Sequence, residues 1–258
     1  MINQGDDAIL LDTEGVRDLI PYLDFEQVRF PIYGGLYHPR GGSARHDAVA
    51  WGYARGADTR GVDLIQNCEV TGMDISQGRI TGVQTTRGQI NAKKVGIVVA
   101  GRSGQVAAMA GMRLPIESHV LQAFVTEGLK PCIDHVISFG MGHFYISQSD
   151  KGGLVFGGDL DFYASYAQRG NLPMKEHVME AGMTLMPMIG KARVLRSWGG
   201  IMDMTPDGSP IIDKTDIEGL YIDCGGVMVG LKPYLLLATV SPICLPPITI
   251  TNLQVVLG

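Results

Sequence analysis

The alternation of apolar and polar positions is most regular between residues 62 and 92. A strand is expected over Val62–Gln66. Three short alternating runs follow, over 69–75, 79–86 and 89–92. The turn signals Gln77-Gly78 and Arg87-Gly88 separate these runs. The pattern therefore predicts an antiparallel meander.

A continuous apolar run comes directly after the meander. Val95–Ala100 contains no polar side chain, which is typical of a strand buried in a parallel sheet. The run ends at a glycine turn, 101–104, and residues 105–110 predict a helix. Strand, meander, buried strand, turn and helix together indicate an α/β arrangement.

The remaining chain predicts further helices and a broad antiparallel sheet. Asp12 is a suitable N-cap for a short helix that ends near Ile20, and Asp47 for a second helix. A third helix is expected over Lys175–Met186, with Val178 and Leu185 on its apolar stripe. Further strands are expected over 33–37, 119–129, 136–139, 143–148, 153–158, 194–202 and 220–224.

Composition and charge restrict the class of protein. The 258 residues are 45% hydrophobic and 18% charged, with a net charge of −5 and no basic block, which favours a globular protein without a nucleic-acid partner. No apolar run approaches the roughly 20 residues of a membrane span, and the first residues do not resemble a signal peptide. The four cysteines have no paired spacing, so we expect reduced thiols and a cytoplasmic location.

Four segments carry a resemblance to the FAD-dependent amino-acid and N-methylglycine oxidases. They cover residues 38–55, 61–72, 95–104 and 197–212. In such enzymes the backbone at the position of Val70 meets the adenine end of FAD. The residue matching Gly101 lets the chain approach the cofactor. Val70 alone is an ordinary strand residue and Gly101 an ordinary turn glycine, so both assignments depend on the resemblance.

The segment His38–Arg55 is the most specific of the four. It is similar to the beta subunits of heterotetrameric sarcosine oxidases, in which the histidine matching His46 carries covalently bound FMN. Without that likeness His46 would be interpreted as an exposed or capping histidine. Arg40 and Arg45 either meet the FMN phosphate or a partner subunit, or are simply solvated.

The resemblance implies a mixed α/β and α+β fold with two interleaved domains. A partial, Rossmann-like FAD-binding domain is expected over 38–118 and 197–225. A substrate domain built on a large antiparallel sheet is expected over 1–37 and 119–196. His119, His143 and Tyr145 fall in that sheet, where most side chains are structural.

The resemblance also implies an activity and partners. FAD would take a hydride from the N-methyl carbon of sarcosine, and the electrons would pass to FMN and then to oxygen. The products would be glycine, a one-carbon unit and hydrogen peroxide. The implied partners are an alpha subunit, smaller subunits and tetrahydrofolate bound on the partner subunit.

Two regions depart from the family. The Gly-x-Gly-x-x-Gly fingerprint that holds the FAD pyrophosphate is absent, so we expect the chain to start partway through the fold. After Gly225 the family pattern is lost, and we hypothesise that residues 226–258 are read out of frame. Gly230 and Lys232 stand where the family has residues near the flavin and the substrate carboxylate, and Lys232 is the candidate catalytic residue. On the out-of-frame hypothesis, Lys232 is at this position only by coincidence of the overlapping codons.

Two other interpretations of the chain stay open. One is an FAD-dependent oxidase or dehydrogenase of another secondary amine or amino acid. The other is a non-catalytic fragment that keeps a partner-binding surface. FMN bound to His46 would indicate a sarcosine oxidase rather than an oxidase or dehydrogenase of another amine. The absence of any bound flavin would favour the non-catalytic fragment.

Overall fold

The computed structural model describes residues 7–26, 29, 31–140 and 143–226, together with the backbone of Gln254–Val256. Gly230, Lys232 and most of the tail that we hypothesise to be out of frame lie outside these residues. The chain divides into two compact units. The first unit comprises Met1–Ser43, Val120–Tyr163 and Ala167–Gly200, and the second comprises Ala44–His119, Ala164–Tyr166 and Ile201–Gly258. The assignment of one unit to the substrate and the other to FAD remains a prediction.

The helices and strands are numbered in chain order. The strands are β1 (Ile9–Asp12), β2 (Gly34–Tyr37), β3 (Asp63–Ile65), β4 (Val70–Ser76), β5 (Arg79–Thr85), β6 (Gly88–Asn91), β7 (Val95–Ile97), β8 (Glu117–Gly128), β9 (Ile137–Phe139), β10 (Phe144–Gln148), β11 (Gly153–Ala164), β12 (Val194–Met204), β13 (Ile211–Lys214), β14 (Leu220–Cys224) and β15 (Gln254–Val256). The helices are α1 (Thr13–Leu19), α2 (His46–Asp58), α3 (Ser103–Ala108) and α4 (Leu172–Leu185).

The first unit is built on a five-stranded sheet, and the sequence predicts a broad antiparallel sheet in this region. Its strand order is β12-β8-β11-β10-β9. Phe124, Phe144 and Phe156 are buried on one face of this sheet. The ring centroids of Phe124 and Phe156 lie 5.4 Å apart, and those of Phe144 and Phe156 lie 5.9 Å apart. These aromatic contacts form the centre of the core of this unit.

Helix α4 covers the aromatic core. Its buried residues Met174, Val178, Gly182 and Leu185 recur every three or four positions, which is the spacing of one helical face. The helix begins three residues earlier than the predicted Lys175 because Asn171 caps it. The Asn171 side chain accepts a hydrogen bond from the Met174 N–H at 2.9 Å.

The second unit contains the predicted meander and parallel pair. β4, β5 and β6 pair antiparallel in that order. β7 pairs in parallel with β14, and β13 extends the sheet antiparallel. β15 pairs in parallel with β3. The core of this unit gathers Ile80, Ile97, Ala107, Leu220 and Ile222.

The predicted burial of Val95–Ala100 is wrong for most of the run. Ile97 is buried, whereas Val98 is 61% exposed and Val99 and Ala100 are also exposed. The strand ends at Ile97, and within the described residues it has only β14 as a partner. A strand paired on one side leaves the following residues open to solvent.

Helix α2 begins two residues before the predicted start. Asp47 is not its N-cap: the cap is Arg45, without a side-chain hydrogen bond, and Asp47 lies in the first turn. A carboxylate in the first turn still favours the helix through its dipole. No residue of α2 is buried.

Candidate functional site

The turn after β7 is held by two serine hydroxyls. Ser103 donates to the carbonyl oxygen of Ala100 at 2.7 Å, and Ser118 donates to that of Gly101 at 2.8 Å. Ala100 has a φ of 45°, which is uncommon for a residue with a side chain. Strained backbone at the carboxyl end of a parallel strand, fixed from both sides, is typical of a ligand-binding turn.

Gly101 is required by packing inside the protein. A Cβ atom on Gly101 would lie 2.7 Å from the carbonyl oxygen of Ile201 and closer still to the Ile201 side chain. The glycine therefore permits β12 to approach the turn. Its predicted contact with FAD stays a prediction.

The backbone of this turn suits an anion. Val99 (φ −126°, ψ 18°) precedes Ala100, whose backbone is left-handed. A left-handed residue of this kind turns neighbouring N–H groups toward one side, where anionic groups can bind. The residues present thus fit one part of a dinucleotide cofactor, while the sequence lacks the glycine fingerprint that would hold the pyrophosphate.

Val70 is the first residue of β4 and is half-buried. It pairs with Thr85 of β5. Next to it, Glu69 and Thr86 are tied by backbone and side-chain hydrogen bonds of 2.9 and 3.1 Å. Val70 is therefore on a well-fixed strand end, and its predicted contact with the adenine remains untested by these contacts.

His46 is exposed at the start of α2. Beside it, Arg45 and Asp47 form an ion pair of 3.2 Å. The Ala48 backbone N–H, and then Arg45, lower the pKa of the Asp47 carboxyl. Trp51 is 54% exposed on the same helix. The predicted FMN-bearing histidine thus lies next to an arginine, at the exposed start of a helix that buries none of its residues.

Arg40 has a different neighbour from Arg45. Its Nε donates to Asp7 at 2.7 Å, and both side chains are exposed. Neither arginine contacts His46 through an observed hydrogen bond in the described residues. Their proposed role toward a phosphate stays open.

The second unit also contains a cluster of two aspartates and a cysteine that was not predicted from the sequence. Asp203 is buried, and its Oδ2 accepts a 2.5 Å hydrogen bond from the Gly225 N–H. Burial, and then the charge of Asp203, raise the pKa of Asp223. Burial raises the pKa of the Cys224 thiol to about 11. A carboxylate inside the apolar strand Leu220–Cys224 was the signal that could have indicated this cluster.

Glu117, Ser118 and His119 lie at the start of β8, beside the turn. Ser118 is buried and holds Gly101 as described above. His119 is 4% exposed, and its Nε2 lies 3.2 Å from Oε2 of Glu117. The Nδ1 atom of His119 is buried and has no hydrogen-bond partner among the described residues. Sequence reasoning noted His119 but gave it no role.

Tyr145 and His143 occupy the sheet of the first unit. A Cβ atom on Gly157 would lie 2.6 Å from the Tyr145 hydroxyl oxygen, so the tyrosine ring crosses over this glycine. Burial raises the pKa of Tyr145. His143 is exposed, with a φ of 45°.

The described residues contain no group of three or more His, Cys, Asp and Glu side chains suited to a metal ion. They also contain no helix long and apolar enough to cross a membrane. Cys68, Cys132 and Cys224 are free thiols.

Known sequences similar to this chain include sarcosine oxidase beta subunits, a glycine oxidase and D-amino acid dehydrogenases. The sarcosine oxidase subunit beta of Rhizobium meliloti is 65% identical over 228 residues, which are 88% of this chain and 55% of that protein. The corresponding subunit of an Arthrobacter species is 46% identical over 229 residues, or 88% of this chain and 56% of that protein. The chain thus spans about half the length of the curated relatives it matches.

Solved structures agree on the fold. The L-proline dehydrogenase of P. horikoshii has a TM-score of 0.80 at 26% identity, over 88% of this chain and 61% of that one. The glycine oxidase of Geobacillus kaustophilus also has a TM-score of 0.80, at 20% identity, over 100% of this chain and 69% of that one. The family described as DAO, FAD dependent oxidoreductase, matches residues 2–239. Because the family model matches most of the chain, the chain belongs to the DAO family of FAD-dependent oxidoreductases.

Proposed function

We propose that the chain acts in a flavin-dependent amine oxidase that demethylates sarcosine oxidatively. The observation that carries this proposal is the 65% identity, over 228 residues, to a sarcosine oxidase beta subunit. The Ala100–Gly101 turn supports it, because Ser103 and Ser118 hold the backbone there in a conformation that suits an anionic cofactor.

FAD and FMN are the proposed cofactors. When bound, FAD supplies the hydride acceptor for the N-methyl carbon, and FMN supplies the site at which oxygen becomes hydrogen peroxide. On this proposal the second unit holds FAD with its turn and with the strand end at Val70. His46 provides the imidazole nitrogen for covalent FMN, and its exposure at a helix start leaves that nitrogen accessible.

The proposed partner is an alpha subunit, with smaller subunits and tetrahydrofolate on the partner side. Helix α2 supports a partner because it exposes Trp51 and Tyr53 and buries none of its residues. We propose the cytoplasm as the compartment, since the free thiols Cys68, Cys132 and Cys224 suit a reducing environment.

The test is assembly of the chain with the alpha subunit of a sarcosine oxidase. We expect a yellow complex that produces hydrogen peroxide from sarcosine and keeps one flavin after acid precipitation. His46→Ala should abolish the acid-stable flavin and leave the extractable one. A complex without flavin, or one that yields no peroxide from sarcosine, would contradict the proposal and favour a non-catalytic, partner-binding role.

A second candidate is an FAD-dependent dehydrogenase or oxidase of another secondary amine or amino acid. The likeness to an L-proline dehydrogenase structure favours it. A complex that contains extractable FAD alone, with His46 unmodified and with turnover of proline but not sarcosine, would select this candidate.

A further inference from the structure

The most unusual polar group in the second unit is the imidazole of His119. It is 4% exposed, yet its Nδ1 has no hydrogen-bond partner in the part of the chain that the structure describes. Leaving a buried polar atom unpaired costs about 1–3 kcal/mol. A bound water or a ligand group that pairs with Nδ1 would remove this cost.

The contact of the other ring nitrogen defines the chemistry of Nδ1. Nε2 lies 3.2 Å from Oε2 of Glu117. When the ring donates to this carboxylate oxygen, Nε2 carries the proton. Nδ1 is then an unprotonated nitrogen with a free lone pair, and it can accept a proton.

Glu117 connects this buried base to water. Its side chain is 75% exposed, whereas that of His119 is 5% exposed. A proton accepted at Nδ1 can be balanced by transfer of the Nε2 proton to Glu117, and from Glu117 to solvent. The pair thus joins a buried nitrogen to the surface by one hydrogen bond.

The position of the pair links it to the candidate cofactor turn. Ser118 lies between Glu117 and His119 in the chain, and its hydroxyl holds the Gly101 carbonyl at 2.8 Å. The Ser118 carbonyl also accepts the Ser165 N–H at 2.8 Å, so this segment is fixed on both sides. His119 is therefore one residue away from the contact that fixes the turn.

We propose that Glu117 and His119 form a proton relay that deprotonates the amine substrate. The proposal rests on the proposed function, because that function supplies the amine. Alkylamines are protonated near neutral pH, and the carbon beside the nitrogen gives up a hydride only after the nitrogen has lost its extra proton. That proton passes from the ammonium nitrogen to Nδ1 of His119, the Nε2 proton passes to Glu117, and the amine is left neutral with no change in oxidation state.

The first test does not depend on flavin. Nitrogen NMR of the histidine-labelled 258-residue chain should assign to His119 a neutral ring with the proton on Nε2 and a bare Nδ1. A comparison with His119→Gln identifies the signal. A ring with its proton on Nδ1 would overturn the relay, since that nitrogen could not accept another proton from neutral imidazole.

The second test uses the assembled complex without oxygen, with sarcosine added to bleach the flavin. His119→Gln keeps a donor for Glu117 but cannot pass a proton, and we expect bleaching to slow by about 100-fold or more. Added imidazole should restore part of the rate in His119→Ala. Glu117→Gln, at an exposed position, should also slow bleaching, while His177→Gln in the first unit should not.

The outcomes separate the two proposals. A wild-type complex that sarcosine does not bleach contradicts the proposed function. A wild-type complex that is bleached, together with a His119→Gln complex of equal flavin content that is bleached at the same rate, overturns the relay and leaves the function intact.

Discussion

Gly101 and its contact with Ile201 illustrate how strongly a single position is constrained. A side chain on Gly101, which is buried, would meet the carbonyl oxygen and the side chain of Ile201 in β12. The effect of a side chain at position 101 on the stability of the chain therefore tests the packing around the turn directly.

We expect Gly101→Ala to lower the free energy of unfolding by about 2–3 kcal/mol, because the added methyl group overpacks the contact with β12. Urea unfolding of the chain measures this change. Gly200→Ala is the matched control, since nothing lies within 4 Å of a Cβ atom there, and it should change stability by no more than about 0.5 kcal/mol. Equal stabilities of the two variants would contradict the packing argument.

The Asp223 carboxyl should make stability depend on pH in an unusual direction. Burial and Asp203 raise its pKa above the ordinary 3.8. The charged form is therefore disfavoured in the folded chain, and the free energy of unfolding should fall as pH rises from 3.8 through the raised pKa. Asp223→Asn should remove this fall, so the variant should gain stability relative to wild type toward neutral pH.

Asp207 provides the opposite control for that measurement. The Ser209 backbone N–H lowers the pKa of Asp207. The charged Asp207 carboxylate therefore stabilises the folded chain above pH 3.8, and this stabilisation is lost as the pH falls through the lowered pKa. Urea midpoints measured across this pH range for Asp223→Asn and Asp207→Asn should deviate from wild type with opposite signs. An unchanged pH profile in Asp223→Asn would refute the assignment.

At the scale of single elements, α2 and α4 place glycine in contrasting surroundings. A Cβ atom on Gly182 of α4 would lie 2.8 Å from the Phe144 ring, which is buried in the aromatic core. A Cβ atom on Gly52 of α2 would meet nothing within 4 Å. The first glycine permits helix-on-sheet packing, whereas the second only weakens its helix.

The same substitution should therefore have opposite effects in the two helices. Gly52→Ala should stabilise the chain by about 1 kcal/mol through helix propensity. Gly182→Ala should destabilise it by about 1–3 kcal/mol, because overpacking against Phe144 exceeds that gain. Thermal unfolding compares the variants, and stabilisation by both would contradict the close packing of α4 on the sheet.

At the scale of the whole molecule, the uncovered helix α2 should report on assembly. The chain has two tryptophans, so Trp198→Phe leaves Trp51 as the only one. On binding the alpha subunit, we expect Trp51 emission to shift to shorter wavelength and its quenching by iodide to weaken. Trp51→Phe is the reciprocal control, and a complex with unchanged Trp51 emission would exclude α2 from the interface.

The sequence alone was sufficient for the elements whose signals are local. The meander followed from period-two alternation and glycine turns, α1 from the Asp12 cap, and the antiparallel sheet of the first unit from successive apolar strands. The family, too, was visible in short segments, since the residues around His46 and Gly101 resemble it without any coordinates.

Only the tertiary structure decided what depends on neighbours distant in sequence. Burial of Val95–Ala100 was predicted wrongly because burial depends on which strands lie alongside β7. The contact that requires glycine at 101 comes from Ile201, and the carboxyl neighbour of Asp223 is Asp203 on another strand. Local patterns determine helices and strands because their hydrogen bonds are short-range, whereas burial, pKa shifts and the unpaired nitrogen of His119 arise from packing between segments far apart in the chain.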